Sequence, residues 1–327
     1  MTMKQIPITD IAGFQIGYAD NQAQGTGCTA ILCKAGAVAG VDVRGGGPAT
    51  RDTDLLQPKN TVEQIHAVLL SGGSAFGLEA GTGVMKYLSE QGIGMPVTPG
   101  VSVPIVVQAD IFDLAVGDAV WPDVAMGYEA ARDSEHNVIR HGNAGAGMGA
   151  SVGKILGPEK AMKSGIGTAA YQCGDLQVGA VVVVNACGDV FEMDSRTKLA
   201  GVQSDLTMEE IMAQLFEAQT AQSAAPESAS PESSRKNTTI GCVLTNGAFT
   251  KAQMNKLASL AQNGLSRTIR PVNMTLDGDT MFAITTGSVP AVMDVAGMMA
   301  VKAVAKAVET AVNEAETAYG LKGRKSQ

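Results

Sequence analysis

Three runs of apolar and β-branched residues in the second half of the chain predict buried strands. The longest, Leu176 to Asn185 (LQVGAVVVVN), has almost no polar position before its last residue, and such a run is typical of a strand covered on both faces. Thr239 to Thr245 and Met281 to Thr286 have the same character. The pattern therefore predicts a sheet that is buried on both sides.

Shorter apolar runs in the first half of the chain predict further strands, separated by glycine, proline or polar residues. They are Thr29–Cys33, Ala37–Val43, Ala67–Leu70, Val101–Val107 and Ile111–Ala115. The segment Arg44-Gly45-Gly46-Gly47-Pro48 ends the second of these runs, and Ser71-Gly72-Gly73-Ser74 leads from the third into a helix.

Apolar positions that recur every three or four residues predict helices between the strands. In Lys251 to Ser266 the apolar side chains Met254, Leu257, Leu260, Ala261 and Leu265 share one face. Further helices are predicted over Ala75–Gln91, Val124–Arg132, a stretch that begins at Thr207 and fades near Ala218, and Val292–Tyr319. Strands and helices alternate in both halves, so the expected fold class is a layered α/β protein in which helices cover the sheet faces.

One segment interrupts this order. Residues 221–236 read AQSAAPESASPESSRK, a composition that cannot form a core and predicts a flexible linker. A β-prone run begins immediately afterwards at Thr238. A linker that ends at a threonine opening a buried strand is the layout expected of a precursor that cleaves itself and makes Thr238 a new N-terminus.

Composition excludes several classes of protein. The chain has 327 residues, 45% of them hydrophobic, and a net charge of −8 without a Lys/Arg cluster, so nucleic-acid binding is not expected. No run of about twenty apolar residues predicts a membrane span. The five cysteines have no paired spacing and no signal peptide is visible, which predicts reduced thiols in a cytoplasmic protein.

The usual catalytic constellations are also missing. Gly149-Ala150-Ser151-Val152-Gly153 matches a nucleophile elbow, but that motif needs a later histidine, and His66, His136 and His141 all precede it. The same glycine-rich stretch lacks the residues of a phosphate or dinucleotide loop. Asp277-Gly278-Asp279 lacks the spacing of a calcium loop and reads as a turn. No cofactor and no metal are therefore expected.

An N-terminal nucleophile would work without a histidine or a metal. A threonine at a free N-terminus carries its own base, because an α-amine has a pKa of about 7.7–8.0 and is partly neutral near pH 7. The chain would first have to break its Asn237–Thr238 bond, by attack of the threonine hydroxyl on the preceding carbonyl and hydrolysis of the resulting ester.

Six motifs in order give the chain a resemblance to a known family. It resembles the self-processing L-aminopeptidase/D-esterase (DmpA-type) hydrolases, which include β-peptidyl aminopeptidases and the nylon-oligomer endohydrolase. The motifs are Val41-Asp42-Val43-Arg44-Gly45-Gly46, Ser71 to Ala80 (SGGSAFGLEA), Gly145-Ala146-Gly147-Met148 with Gly153-Lys154, Val182-Val183-Val184-Asn185, Asn237-Thr238-Thr239-Ile240, and Asp277 to Phe282 (DGDTMF). They span nearly the whole chain.

The resemblance implies a single domain over residues 1–327 with a four-layer αββα sandwich, similar to N-terminal-nucleophile hydrolases. It also implies cleavage into an α chain (1–237) and a β chain (238–327), assembled as homo-oligomers of αβ units. By position, Thr238 matches the nucleophile and Asn185 the side chain that donates to the oxyanion. Lys154 matches a lysine near the nucleophile, while Asp277 and Asp279 match the acids that orient the hydroxyl and amine.

Two further positions concern the substrate. Several family members have a tyrosine that assists the oxyanion hole where this chain has Phe112, and phenylalanine cannot donate a hydrogen bond. Aminopeptidase members have an acid two residues earlier that binds the substrate's amine, and Asp110 stands there. The resemblance thus implies a small-molecule or short-peptide substrate, with Asp110 and Phe112 in its binding site.

Four functions remain open on the sequence. The first is a self-activated aminopeptidase or amidase that acts on small peptides or amides. The second keeps the self-cleavage but hydrolyses a non-peptide amide or ester, such as an oligoamide or a pantetheine-like compound. The third is an acyltransferase of similar fold, and the fourth is an uncleaved, non-catalytic binding or assembly protein.

Overall fold

The computed structural model describes residues 2–195, 197–223 and 237–326. Its strands are β1 (Lys4–Ile6), β2 (Gln15–Asn21), β3 (Thr26–Val43), β4 (Ala49–Arg51), β5 (Ile65–Ser71), β6 (Met95–Thr98), β7 (Val101–Val103), β8 (Val106–Asp110), β9 (Ser151–Val152), β10 (Met162–Lys163), β11 (Ile166–Cys173), β12 (Leu176–Asn185), β13 (Asp189–Phe191), β14 (Lys198–Ala200), β15 (Thr238–Gly247), β16 (Ile269–Arg270) and β17 (Thr280–Val289). Its α-helices are α1 (Ala80–Glu90), α2 (Val124–Asp133), α3 (Met208–Ser223), α4 (Lys251–Thr268) and α5 (Met293–Asn313).

The strand that begins at the predicted cleavage site lies near the centre of one sheet. Its order is β1-β11-β12-β15-β17-β3, and β15 pairs antiparallel with β12 and parallel with β17. The parallel pair is joined by a crossover through α4, as a parallel connection requires. The segment that begins at Thr238 therefore occupies a central position, where its backbone is hydrogen-bonded on both sides.

The long strand β3 connects this sheet to a second one. Its last residues pair with β17, while its first residues pair with β2 and β5. The register shifts between Leu32 and Ala37, and such an irregularity bends a strand. The second sheet continues through β5 and β8 to β4.

Three hydrophobic cores separate four layers. Helices α4 and α5 pack on the outer face of the first sheet, through side chains such as Leu257, Val304 and Val182. Helices α1 and α2 pack on the outer face of the second sheet. The third core lies between the sheets and joins Phe282 and Ile240 of the first to Val68 of the second. This arrangement is the predicted αββα sandwich.

Most predicted elements are present, and several bounds are wrong. The strand predicted over Leu176–Asn185 matches β12, but Ile111–Ala115 is irregular, and Pro104 separates β7 from β8. The closing helix was predicted to Tyr319 and ends at Asn313. Helix α3 extends to Ser223, so the predicted linker begins in a helix, and residues 224–236 lie outside the described residues. No helix of the described part is long and apolar enough to cross a membrane.

Candidate active site

Thr238 and Asn185 meet where two neighbouring strands begin and end. The antiparallel register of β12 and β15 pairs Asn185 directly with Thr238. Val183 lies two residues before Asn185, and Ile240 lies two residues after Thr238; both belong to the core between the sheets. Alternate residues of a strand share a face, so Asn185 and Thr238 face the same side. Both side chains are buried. Sheet register alone thus brings the predicted nucleophile and the predicted oxyanion donor together.

The peptide bond before Thr238 is held by hydrogen bonds at its carbonyl. The Asn237 oxygen accepts a bond from the backbone N–H of Gly278 at 3.1 Å and another from the Thr238 hydroxyl. Asn237 also forms a parallel β-bridge with Asp277. In this intact chain, the hydroxyl therefore lies beside the carbonyl that it would attack, and a fixed N–H polarises that carbonyl.

Position 278 favours glycine because it lies against Thr238. A Cβ there would lie 2.8 Å from Thr238 Oγ1 and 3.1 Å from the Gly47 carbonyl oxygen. The position was not identified from the sequence, although a glycine between two acids at the start of a strand is visible there. Gly278 contributes an N–H without a side chain, so the loop approaches the hydroxyl closely.

The two acids on either side of Gly278 bind backbone N–H groups. Asp279 Oδ1 accepts from Thr239 N at 2.6 Å, and Oδ2 accepts from Asn273 N at 2.8 Å. Asp277 Oδ2 accepts from Met274 N at 2.8 Å, while its buried Oδ1 has no hydrogen-bond partner among the described residues. Asp279 therefore fixes the strand just after Thr238, and Asp277 retains an acceptor beside Asn237.

Burial changes the acidity of both carboxyl groups. Desolvation, followed by the charge of Asp277, raises the pKa of Asp279 to about 7. Desolvation also raises the pKa of Asp277, against the effects of its bond from Met274 and of the charge on Lys154. Asp279 consequently changes its protonation near neutral pH, where an acid–base function is most sensitive to pH.

The Asn185 amide has a defined orientation. Lys154 Nζ lies 2.8 Å from one terminal atom of the amide, and Ser151 N lies 3.0 Å from the same atom. Both are donors only, so that atom must be the oxygen Oδ1. The nitrogen Nδ2 then lies on the other side and donates to the carbonyl of Phe112 at 3.0 Å. The nitrogen is therefore the donor end of the amide, as the predicted role of Asn185 requires.

Lys154 and Ser151 thus act on the predicted oxyanion donor. Lys154 Nζ also donates to the Asn185 backbone oxygen at 2.9 Å. Desolvation lowers the pKa of its ammonium group to about 7, although the residue keeps some exposed surface. Ser151, whose motif fails as a nucleophile elbow, contributes through its backbone N–H. Its part could not be deduced from the sequence.

A second lysine holds the glycine-rich segment before Ser151. Lys163 is fully buried and donates to the carbonyls of Gly147, Ala150 and Ser164 at 2.6–3.0 Å. Desolvation lowers the pKa of its ammonium group to about 7. Three carbonyls from neighbouring turns converge on one cation, so the segment that orients Asn185 is fixed from behind.

A cavity of about 520 Å³ opens beside Thr238. Its walls include Asn237, Asp110, Phe112 and Ser74. Gln108 Nε2 binds Asp110 Oδ1 and the Gly77 carbonyl, each at 2.8 Å. The buried Oδ2 of Asp110 has no hydrogen-bond partner in the described part of the chain. The acid that the resemblance assigns to amine binding therefore lies in the cavity wall, with one buried oxygen that has no partner among the described residues.

The surroundings of Asp110 disfavour its charged form. Desolvation raises the pKa of this carboxyl well above its usual range, and the nearby charge of Asp113 adds to the effect. Asp113 itself accepts bonds from Gly73 N and Thr26 Oγ1. Gln108, two residues before Asp110 on the same strand, was not identified from the sequence, although alternate residues of a strand share a face.

All the residues predicted for the site lie in one region. Thr238, Asn185, Lys154, Asp277 and Asp279 lie around the Asn237–Thr238 bond, and Asp110 and Phe112 line the adjoining cavity. No group of three or more His, Cys, Asp or Glu side chains suited to a metal ion occurs among the described residues.

Solved structures with the same fold place this architecture in a known class. A β-aminopeptidase from Burkholderia sp. superimposes with a TM-score of 0.66 at 19% identity, over 97% of this chain and 90% of that one. An L-aminopeptidase D-Ala-esterase/amidase from Ochrobactrum anthropi, described as a variant of the Ntn hydrolase fold, gives 0.63 at 21% identity, over 97% and 89%. The fold is therefore that of this Ntn-hydrolase variant.

The sequence comparisons identify the family. Residues 7–326 match the model of peptidase family S58. An uncharacterized aminopeptidase of Mycobacterium leprae is 42% identical over 301 residues, which cover 87% of this chain and 79% of that protein. A 6-aminohexanoate-oligomer endohydrolase of Agromyces sp. is 32% identical over 291 residues, which cover 86% and 75%. The chain belongs to peptidase family S58 and is a hydrolase.

Proposed function

We propose that this chain is an aminopeptidase or amidase that activates itself by cleaving its Asn237–Thr238 bond, and that Thr238 then serves as the catalytic nucleophile. The observation that carries the proposal is the geometry of the scissile carbonyl, which accepts bonds from both the Thr238 hydroxyl and the Gly278 N–H. Attack by Oγ1 forms an ester and frees the Thr238 nitrogen. Hydrolysis of that ester releases the carboxylate of Asn237 and leaves the new α-amine.

The hydrolytic cycle uses the same groups. The Thr238 amine takes the proton of its own hydroxyl, Oγ1 attacks the substrate carbonyl, and the amine returns the proton to the departing nitrogen. Asn185, held by Lys154 and Ser151, donates to the oxyanion. Asp277 Oδ1, buried beside Asn237, accepts a hydrogen of the new amine. Water then attacks the acyl-Thr238 ester and completes turnover.

Self-cleavage is tested by the mass of the purified protein. The wild type should consist of fragments 1–237 and 238–327, with threonine as the first residue of the second. Thr238→Val keeps the shape of the side chain and removes the hydroxyl, so it should stay intact, while Thr238→Ser should still cleave. An intact and fully active wild-type protein would contradict the proposal.

Asp110 supports a substrate whose acyl half carries a free amine. An ammonium ion placed against its unpartnered oxygen would satisfy a buried group that otherwise costs about 1–3 kcal/mol. Asp110→Asn should therefore lower kcat/KM for aminoacyl p-nitroanilides by at least about tenfold. The N-acetylated substrates have no ammonium ion and provide the control: an equal loss on both sets would exclude amine recognition by Asp110.

The length of the acyl half is a separate question. One relative is named for 6-aminohexanoate oligomers, whose amine lies further from the carbonyl than in an α-aminoacyl group. A panel of α-aminoacyl, β-aminoacyl and 6-aminohexanoyl p-nitroanilides distinguishes an enzyme that acts on peptides from one that acts on oligoamides. An acyltransferase would instead show a product only when an acceptor amine is added.

The setting of the enzyme is also part of the proposal. The five cysteines are unpaired in the described structure, which supports a reducing, cytoplasmic location. We expect αβ units to assemble as homo-oligomers, without nucleic acid or membrane, and mass measurement of the native protein tests the assembly.

A further inference from the structure

A second cavity, of about 260 Å³, lies against the wall that Phe112 provides for the first. Phe112 lines both cavities, and the walls of the second also include Ser151, Lys154, Ala115 and Tyr319. Two of these residues orient the Asn185 amide, whose strand neighbour is Thr238. The second cavity therefore shares two wall residues with the groups that orient the predicted oxyanion donor.

The intact chain shows which half of a substrate the first cavity receives. Asn237 is the acyl side of the bond that Thr238 would break, and this residue lines the 520 Å³ cavity together with Asp110. An acyl group that forms an ester with Thr238 takes the position of Asn237. The acyl half of a substrate consequently belongs in the first cavity, and the amine half must lie elsewhere.

We propose that the 260 Å³ cavity behind Phe112 is the leaving-group subsite, which binds the amine half of the scissile amide. The proposal rests on the proposed function, since it uses the acyl direction defined by the Asn237–Thr238 bond. The cavity is lined by Lys154, whose Nζ lies 2.8 Å from Asn185 Oδ1. It is thus one side chain away from the atoms that would hold the reacting carbonyl.

The walls of this subsite indicate the kind of amine it accepts. Val116, Pro158, Ala161 and Leu321 are apolar, and the two charged residues, Lys154 and Glu159, are of opposite sign. The volume is half that of the first cavity and below the usual range of about 300–1,000 Å³ for drug-sized ligands. The leaving group that fits is a small neutral amine with an apolar or aromatic body, no larger than about one residue.

Two alanines provide a matched pair of variants. Ala115 lines the second cavity, Ala75 lines the first, and both are exposed, so phenylalanine at either position adds bulk without disturbing a core. The measured quantity is the ratio of kcat/KM for an aminoacyl p-nitroanilide to that for the corresponding aminoacyl amide, whose leaving group is ammonia. Ala115→Phe should lower this ratio at least tenfold. Ala75→Phe should lower both values together and keep the ratio within about twofold.

The outcomes separate the subsite from the proposed function. If the wild type neither cleaves itself nor hydrolyses either substrate, the proposed function fails. If it is cleaved and active, but Ala115→Phe keeps the wild-type ratio or Ala75→Phe shifts it equally, the subsite assignment is overturned. Val116→Trp fills the same cavity from the neighbouring position. It provides a second test of the kcat/KM ratio if Ala115→Phe lowers the melting temperature strongly.

Discussion

Replacing Gly278 with alanine should displace the nucleophile without altering any group that carries charge. The added Cβ would lie 2.8 Å from Thr238 Oγ1 and 3.2 Å from Thr238 Cγ2, whereas ordinary contacts begin at 3.4 Å. Restoring that separation moves the hydroxyl by about 0.6 Å, and a misplacement of about 1 Å costs roughly 100-fold in rate. We therefore expect self-cleavage to slow by roughly 10- to 100-fold, which is about 1.4–2.7 kcal/mol in activation free energy.

Gly47→Ala is the matched control. A Cβ at Gly47 meets nothing closer than the Asp277 carbonyl oxygen at 3.9 Å, and neither glycine has a positive φ. Backbone strain therefore does not distinguish the two substitutions; the distance to Thr238 does. Gly47→Ala should cleave within about twofold of the wild-type rate.

The assay is the appearance of the two fragments over time, followed by intact mass after rapid expression or cell-free synthesis. Thermal melting of both variants in a Thr238→Val background, which blocks cleavage, shows whether each has folded. A Gly278→Ala protein that melts like Gly47→Ala and cleaves at the same rate would refute the idea that this close approach positions the hydroxyl.

Three other predictions concern charge and packing. Asp279 holds its proton up to about pH 7 in the folded state and up to about pH 4 in the unfolded state, so the free energy of unfolding falls as the pH rises between these values. Denaturant titrations of Thr238→Val from pH 5 to 7 should show this fall. In Thr238→Val/Asp279→Asn the fall should be smaller, by up to about 1.4 kcal/mol per pH unit. Lys163→Met should lower kcat and the rate of self-cleavage at least tenfold at temperatures where the variant is folded. Lys251→Met is the control, because it removes another buried lysine that binds the carbonyls of residues 60 and 62. It should lower stability alone. Phe282→Ala should cost about 3–5 kcal/mol in urea unfolding, because this fully buried ring lies between the sheets.

The strands that carry the site were predictable because their sequences leave little choice. Leu176 to Asn185 is apolar on both faces, since one face meets the helices and the other meets the second sheet. Such a segment has one stable environment, and its bounds coincide with β12. Ile111 to Ala115 is also β-prone, yet its backbone turns to place Phe112 at the cavity and Asp113 against Gly73. Tertiary contacts override local propensity there.

The residues of the site that were not identified from the sequence either contribute backbone groups or come from other segments of the chain. Gly278 and Ser151 contribute N–H groups, which every residue except proline has, so their types reveal nothing. Nothing in the sequence distinguishes Lys163 from a surface lysine. The pairing of β9 with β10 places its ammonium group within hydrogen-bond distance of three carbonyls. The resemblance supplies candidates for the reacting side chains, whereas the groups that orient these candidates depend on the three-dimensional structure.

Self-cleavage and substrate binding are linked by the position of Asn237. In the intact chain this residue lines the same cavity as Asp110, and its carbonyl is held by Gly278. On the proposed mechanism, the chain thus fills the acyl side of its own site until the bond breaks. Cleavage then supplies the amine that acts as base and frees Asn237 to leave the cavity wall that it shares with Asp110. The uncleaved precursor should therefore bind amine-bearing ligands more weakly than the mature enzyme, because its own acyl residue competes for the space.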